Sequence, residues 1–235
     1  MDLQLLKALN KERQSRLAVI LATDLETGDG WIIRESDTLA GELGEAVAKA
    51  FRSGKSGSVE AGGRTLFLNV HLPPPRLVVI GAVHISQALA PMAKIAGYDM
   101  EIIDPRTAFA TPERFPDVTL LPEWPEEVLK RRPFDAYTAV AALTHDPKID
   151  DVPLLASLKA RCFYVGALGS RKTHGKRVER LLAAGATESE VGRIHAPIGL
   201  SIDAASPAEI AVAVLAEIIS AFRSRGIEDG KDQAA

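Results

Sequence analysis

Hydrophobic positions along the chain fall into two rhythms, separated by Pro73-Pro74-Pro75. Ahead of the prolines, residues 2–12 alternate as a short amphipathic helix and residues 17–23 are apolar and β-like. Thr27-Gly28-Asp29-Gly30 then turns the chain into Trp31-Ile32-Ile33, which predicts a hairpin. Apolar or alanine residues at 39, 43, 46, 47, 50 and 51 trace a helical stripe. Val59 and residues 65–70 flank Gly62-Gly63 as a second hairpin. This pattern predicts a small α+β N-terminal domain over residues 1–72. Three prolines in a row cannot continue a helix and form a stiff spacer.

Beyond them, strand-like and helix-like runs alternate. Leu77-Val78-Val79-Ile80 is a β-branched run cut off by Gly81, and an alanine-rich segment, 86–96, leads to a second strand, Met100 to Ile103, closing on Asp104. Strands are expected at 118–121, 137–143 and 162–165, with helices at 125–131, 152–160 and 172–184. The near-continuous apolar character of 137–143 suits a parallel strand covered on both faces. Ser206-Pro207-Ala208-Glu209 is a capping box with proline at the first helical position, opening a helix over 210–222 that is apolar almost all round. The fold class expected is α/β, with a Rossmann-like parallel sheet over residues 76–223 and right-handed crossovers. Residues 224–235 turn polar and read as a flexible tail.

Composition narrows the function classes. The chain has 235 residues, 46% of them hydrophobic and 25% charged, the balance of an ordinary folded domain or two. A net charge of −3 argues against nucleic-acid binding by bulk electrostatics. The single cysteine, Cys162, excludes an internal disulfide and falls in an expected buried strand, where inert packing outweighs a nucleophilic role. No apolar run reaches the ~18 residues of a membrane span, and the N-terminus carries no apolar signal core, so a cytoplasmic protein is expected.

In an open α/β sheet ligands bind at the carboxyl ends of the strands, so the residues after each strand outline a site. They are Gly81 to His84; Asp104 and Arg106; Thr144-His145-Asp146; Gly166 to Lys172 with Thr173 and His174; and His195, Pro197 and Gly199. Four of the five histidines fall in these loops. Thr144, His145 and Asp146 supply a hydroxyl, an imidazole and a carboxylate for acid–base work or polar recognition, or else a loop tied by its own side chains. Asp104 is placed for a ribose or pterin-like group. The G-x-G-x-x-G fingerprint is incomplete, since Val83 and Ser86 replace its second and third glycines. Gly166, Gly169, Ser170, Arg171 and Lys172 suggest a helix start. Ser170 would be the N-cap, and the two cations in the first turn oppose the helix dipole unless an anion binds there. No histidine spacing suggests a metal site.

Taken together and in this order, Pro73 to His84, Ile103 to Arg106 with Arg114-Phe115-Pro116-Asp117, Thr144 to Asp146, Tyr164 to Lys172 and Ile194 to Ala211 resemble the XdhC/CoxI family. These are accessory factors of xanthine dehydrogenase and related molybdenum hydroxylases. The resemblance implies a non-catalytic chaperone that binds molybdenum cofactor (molybdopterin) as cargo at Gly81, His84, Asp104, Arg106, Thr144, His145, Asp146, Gly166, Gly169, Ser170, Arg171, Lys172, Pro197 and Gly199. It further implies sulfuration of the cofactor with a cysteine desulfurase and delivery to the hydroxylase apo-enzyme; a homodimer is also expected. Val83 departs from the family's second glycine, Ser201 and Asp203 stand where members carry Asp and Gly, and residues 1–72 lack the family's N-terminal patterns, marking a short divergent member. The alternatives are an NAD(P)-binding oxidoreductase with Asp104 on the ribose, and a ligand-free docking protein.

Overall fold

Two sheets account for the two rhythms. The computed structural model describes residues 2–224; of the tail expected at 224–235, Ser224 ends the last helix and 225–235 lie outside the described residues. In the first unit, residues 1–73, strands β1 (Val19–Asp24), β2 (Gly30–Arg34), β3 (Gly57–Ala61) and β4 (Arg64–His71) form an antiparallel sheet in the order β2-β1-β4-β3. Helix α1 (Leu3–Gln14) sets Leu5 and Leu9 against Val19, Leu21 and Ile32. Helix α2 (Gly41–Ser53) buries Val47, Ala50 and Phe51, the stripe read from its periodicity. The β1–β2 connection is held by Asp24, whose carboxylate accepts the N–H groups of Glu26 and Thr27 at 2.9 and 3.2 Å.

The second unit, residues 74–222, is a parallel sheet covered on both faces. Its first strand, β5 (Arg76–Ile80), is buried at every position, so successive side chains must serve opposite layers. Leu77 and Val79 face one layer, with Leu89 and Ala93 of α3 (His84–Ile95) and with residues of the final helix. Val78 and Ile80 face the other. The remaining strands are β6 (Asp99–Ile103), β7 (Thr119–Leu121), β8 (Thr138–Ala142), β9 (Tyr164–Ala167) and β10 (Ile194–His195). All pairs are parallel, in the order β10-β9-β8-β5-β6-β7. Counted from β5 this is the 3-2-1-4-5-6 arrangement of a Rossmann fold, whose strand order reverses between β5 and β8.

Helices α4 (Pro125–Arg131), α5 (Pro147–Lys159), α6 (Arg171–Ala183) and the one-turn α7 (Glu188–Val191) cover the Val78 face with Val128, Leu154, Leu158, Leu181 and Val191. Helix α8 (Pro207–Ser224) joins α3 on the Leu77 face through Ala211, Val214 and Ile218. The expected capping box is present: Ser206 Oγ accepts from the Glu209 N–H at 3.2 Å, and Glu209 accepts from the Ser206 N–H at 2.8 Å. Four elements differ from expectation. Strand β9 spans Tyr164–Ala167 rather than 162–165, which leaves Cys162 ahead of the strand and Gly166 inside it, and α7 had no expected counterpart. Helix α5 begins at Pro147 rather than at 152, because Asp146 caps it and Pro147 has the φ of a first helical residue. The two-residue β10 pairs with Val165 and Gly166 and is too short to leave an alternation in the sequence.

Tight packing at the β9–β10 edge calls for a residue without a side chain at 166. A Cβ there would lie 2.6 Å from both Ile198 Cγ1 and Tyr164 Oη. Gly166→Ala is therefore expected to lower the unfolding free energy by about 1–3 kcal/mol, read from denaturant unfolding of the full chain.

Candidate functional site

The glycine turn after β5 closes on itself. Gly81 takes a φ of 122°, and a Cβ on it would approach Thr144 Cγ2 to 2.9 Å. Asp104 is fully buried beneath the turn. Its Oδ2 accepts from the Ala82 N–H at 2.8 Å and from Arg106 Nη2 at 2.7 Å; its Oδ1 accepts from the Arg106 N–H and Nε, both at 2.9 Å. Burial works against the charge, but Arg106 and the two backbone N–H groups outweigh it and hold the carboxyl below its usual range. With about four acceptor positions on a carboxylate, Asp104 has none left for a ribose. Ser86 Oγ accepts the Val83 N–H at 2.8 Å, so a second amide at the start of α3 is also engaged. Arg114 reaches Ala82 O at 3.1 Å and Gln87 Oε1 at 2.9 Å, locking the turn from outside. The amides that would face a pyrophosphate in a dinucleotide-binding protein are thus partly spent inside the chain.

The loop after β8 is also tied locally. Thr144 donates to Asp150 Oδ1 at 2.7 Å and accepts the Asp146 N–H at 3.1 Å, while Asp146 caps α5 through the Lys148 N–H at 3.0 Å. His145, with a φ of 62°, is left exposed at the rim of a cavity of about 330 Å³. The cavity lies between the start of α5 and the face of α6 from Lys172 to Arg180, and is lined by His145, Asp150 and Asp151 on one side and by Lys172, Lys176, Arg177 and Arg180 on the other. Ser170 caps α6, accepting the Thr173 N–H at 3.2 Å, as expected. Gly169, at a φ of 131°, lets the chain pass Thr173 and His145.

Electrostatics in this cavity are uneven. Arg180 is paired with Asp151 through Nε at 2.5 Å and Nη2 at 3.0 Å. Arg177, 2% exposed, donates from Nη2 to Leu168 O at 2.8 Å. Its Nε and Nη1 have no acceptor among the described residues, nor has Asp150 Oδ2 a donor. Burial raises the Asp150 carboxyl to about 6 despite the Thr144 hydroxyl and the Arg177 charge. Partial burial, then the Arg177 charge, lower both His145 and His174, favouring neutral imidazoles.

A separate cluster lies at the β9–β10 edge. Glu217 of α8 accepts from Tyr164 Oη at 2.6 Å and from the Gly199 N–H at 2.8 Å, and lies 3.0 Å from His195 Nδ1. Burial opposes the Glu217 charge, but His195, Tyr164 and the Gly199 amide more than offset it, keeping the carboxyl below its usual range. The arrangement fixes a proton on His195 Nδ1 and orients the ring.

Of the residues expected from the sequence, His145 and Lys172 line the cavity, and Gly169 and Ser170 shape its edge. His84 and Arg171 are exposed at the first positions of their helices. Asp104 and Arg106 brace the turn with Gly81, and Thr144 and Asp146 staple their own loop. Gly166 and Gly199 serve close packing: a Cβ on Gly199 would lie 3.1 Å from the α8 backbone. Pro197, in a cis peptide, precedes that contact. Cys162 is fully buried, and burial pushes its thiol up to about 12. Asp150, Lys176, Arg177 and Arg180 were not among the expected residues. For the three cations the signal was available in α6, where positions 172, 173, 176, 177 and 180 share one helical face. Among the described residues, no group of three or more His, Cys, Asp or Glu is placed to hold a metal ion, and no helix is long and apolar enough to cross a membrane.

Comparison with known proteins places these features in context. Residues 77–218 match the XdhC Rossmann domain. The uncharacterized protein YqeB of Escherichia coli is 34% identical over 168 residues, 69% of this chain and 30% of the relative. A protein of Bacillus subtilis described as a probable xanthine dehydrogenase subunit is 33% identical over 155 residues, 66% of this chain and 45% of the relative. The molybdenum cofactor insertion chaperone PaoD of Escherichia coli is 33% identical over 148 residues, 63% of this chain and 40% of the relative. The chain therefore spans less than half the length of these relatives. A crystal structure of a xanthine dehydrogenase from Bacillus halodurans shares the fold at a TM-score of 0.62 and 24% identity, covering 95% of this chain and 66% of that one.

The buried carboxyl gives a pH signature. The folded pKa of Asp150, about 6, lies above its ordinary 3.8, so its contribution to stability is present at low pH and lost as pH rises through the folded value. Relative to Asp150→Asn, the wild type should lose about 1 kcal/mol of unfolding free energy between about pH 5 and about pH 8. A pH-independent difference in urea unfolding would show that Asp150 is solvated like a surface carboxylate.

Proposed function

We infer that this chain, which belongs to the XdhC family, is an accessory protein that binds molybdenum cofactor as cargo and assists its insertion into a molybdenum hydroxylase such as xanthine dehydrogenase. The observation that carries the reading is the cationic cavity at the carboxyl edge of the sheet, with Lys172, Lys176 and Arg177 facing His145. A pterin cofactor bears phosphate, and a cation-lined cleft attracts such a ligand by the sign of its field. The relatives named for xanthine dehydrogenase and for cofactor insertion support the same class of cargo. The glycine turn supports it from the other direction. Nicotinamide dinucleotide binding would require amides that Asp104 and Ser86 already hold, and a ribose acceptor that Arg106 has saturated.

The finer steps rest on the family resemblance. Sulfuration would be carried out by a cysteine desulfurase, since Cys162 is too deeply buried to receive or pass sulfur. The recipient would be an apo-hydroxylase, and the working unit a homodimer.

Full-length protein purified anaerobically from a molybdenum-replete host should carry or take up the cofactor, read by mass spectrometry and molybdenum content. Reversing two rim charges, Lys172→Glu with Lys176→Glu, should weaken uptake by about tenfold or more, a change of at least ~1.4 kcal/mol. Absence of uptake by the wild type would exclude the carrier role and leave a ligand-free docking protein.

A further inference from the structure

We propose that the cavity between α5 and α6 is a phosphate-monoester seat, anchored at its floor by the Arg177 guanidinium and closed at its rim by Lys172 and Lys176. The identity of the cargo rests on the reading above; the seat is a property of the cavity and is tested without the cargo.

Four observations converge on this chemistry. First, Arg177 is 2% exposed and lines the cavity, yet only Nη2 has a partner among the described residues, Leu168 O at 2.8 Å. Its Nε–H and the hydrogens of Nη1 are donors without acceptors there. Burying a cation with unmet donors is costly unless an anionic acceptor completes it. Second, the neighbouring carboxylates do not fill that role. Asp151 is engaged by Arg180, and Asp150 places Oδ1 on the Thr144 hydroxyl while making no hydrogen bond to Arg177. Third, the lining carries four cations, Lys172, Lys176, Arg177 and Arg180, against two carboxylates, Asp150 and Asp151, leaving two positive charges. A monoester dianion matches that excess. Fourth, the cavity opens at the capped start of α6, where the helix dipole favours an anion.

The preference for a monoester follows from depth. Arg177 is a buried member of the lining and Lys172 and Lys176 are exposed members, so a ligand that reaches all three enters with its phosphate first. A terminal phosphate then presents three oxygens to Arg177 and the lysines. A diester is substituted on both sides and cannot turn its oxygens downward without pushing one substituent into the wall. The volume, about 330 Å³, falls at the small end of the ~300–1,000 Å³ common for ligand pockets. It suits a phosphate with its adjoining carbons, leaving the rest of a larger ligand outside.

The test is isothermal calorimetry on the full chain with glycerol 3-phosphate, inorganic phosphate, and the diester glycerophosphocholine. Saturable binding of the monoester is expected, with the diester at least about tenfold weaker. Arg177→Met should abolish monoester binding, and Lys172→Gln with Lys176→Gln should weaken it by about tenfold. The lysine pair lies on the exposed rim, so this variant keeps the test valid if Arg177→Met fails to fold. No saturable monoester binding by the wild type, equal binding of the diester, or undiminished binding by the lysine variant would overturn the seat. Monoester binding without cofactor uptake would leave the seat standing and remove the cargo assigned above. Cofactor uptake undiminished in variants that have lost monoester binding would leave the seat standing and place the cargo at another site.

Discussion

The carboxylate of Asp104 is the contact on which the ligand-binding edge depends. It stands at the end of β6, next to β5 at the middle of the sheet, and gathers the Ala82 amide, the Arg106 amide and the Arg106 side chain onto one buried group. Charge-assisted hydrogen bonds of this kind are short and strong, and a buried charge is tolerated only when its acceptor positions are filled. The result is a rigid glycine turn whose neighbouring amide is held by Ser86. A Rossmann sheet normally offers its first glycine turn to a pyrophosphate; here the turn has become scaffold. The field that can attract an anion has moved across the reversal of strand order to the loops after β8 and β9.

That displacement explains the unequal charge placement further along the sheet. Helix α6 starts with cations, an arrangement unfavourable to the helix dipole, and continues them down the face that meets α5. Asp151 neutralises Arg180 at the lower end. Among the described residues nothing equivalent neutralises Arg177, and the carboxyl beside it, Asp150, is pushed towards its neutral form by burial. Two histidines whose imidazoles are kept neutral flank the same arginine. Stability alone would favour an apolar residue or a complete ion pair at position 177, since a buried, half-satisfied cation contributes little. A buried cation with unmet donors is a cost to the fold that an anion in the proposed seat would offset.

Much of the fold was legible in the sequence because parallel strands buried on both faces read as continuous apolar runs, and because helix starts at Ser170 and Ser206 carry capping residues. The short elements were not legible. β10 has two residues, and the start of α5 lies in a polar stretch whose helicity comes from Asp146 and Pro147 rather than from apolar periodicity. For the site, the rule that ligands bind at strand ends outlines the edge of the sheet at which the cavity lies and includes His145 and Lys172 of its lining. It selected Gly166 and Gly199, whose roles are steric, and Asp104, whose role is internal. It passed over Arg177, inside α6, because a basic helix ordinarily reads as a solvated face. Helical spacing places 173, 177 and 180 together; only packing reveals that this face is covered by α5.

Val83 takes on a different meaning in this light. As a replacement for the second glycine of a dinucleotide fingerprint it reads as an obstruction to a ligand. Yet the Val83 amide is held by Ser86, whose hydroxyl also lies 2.8 Å from Gly81 O, and the Ala82 amide is held by Asp104. A glycine at 83 would remove a side chain without freeing either donor. The turn is closed by two hydrogen-bonding groups that lie three and more positions away, so the side chain at 83 does not decide whether these amides are available. At the place of the fingerprint's third glycine stands Ser86, which holds the Val83 amide, and the acid at the end of β6 holds the Ala82 amide. These hydrogen bonds favour a rigid turn over a dinucleotide seat, and they leave the cation-lined cavity between α5 and α6 as the proposed phosphate site at this edge of the sheet.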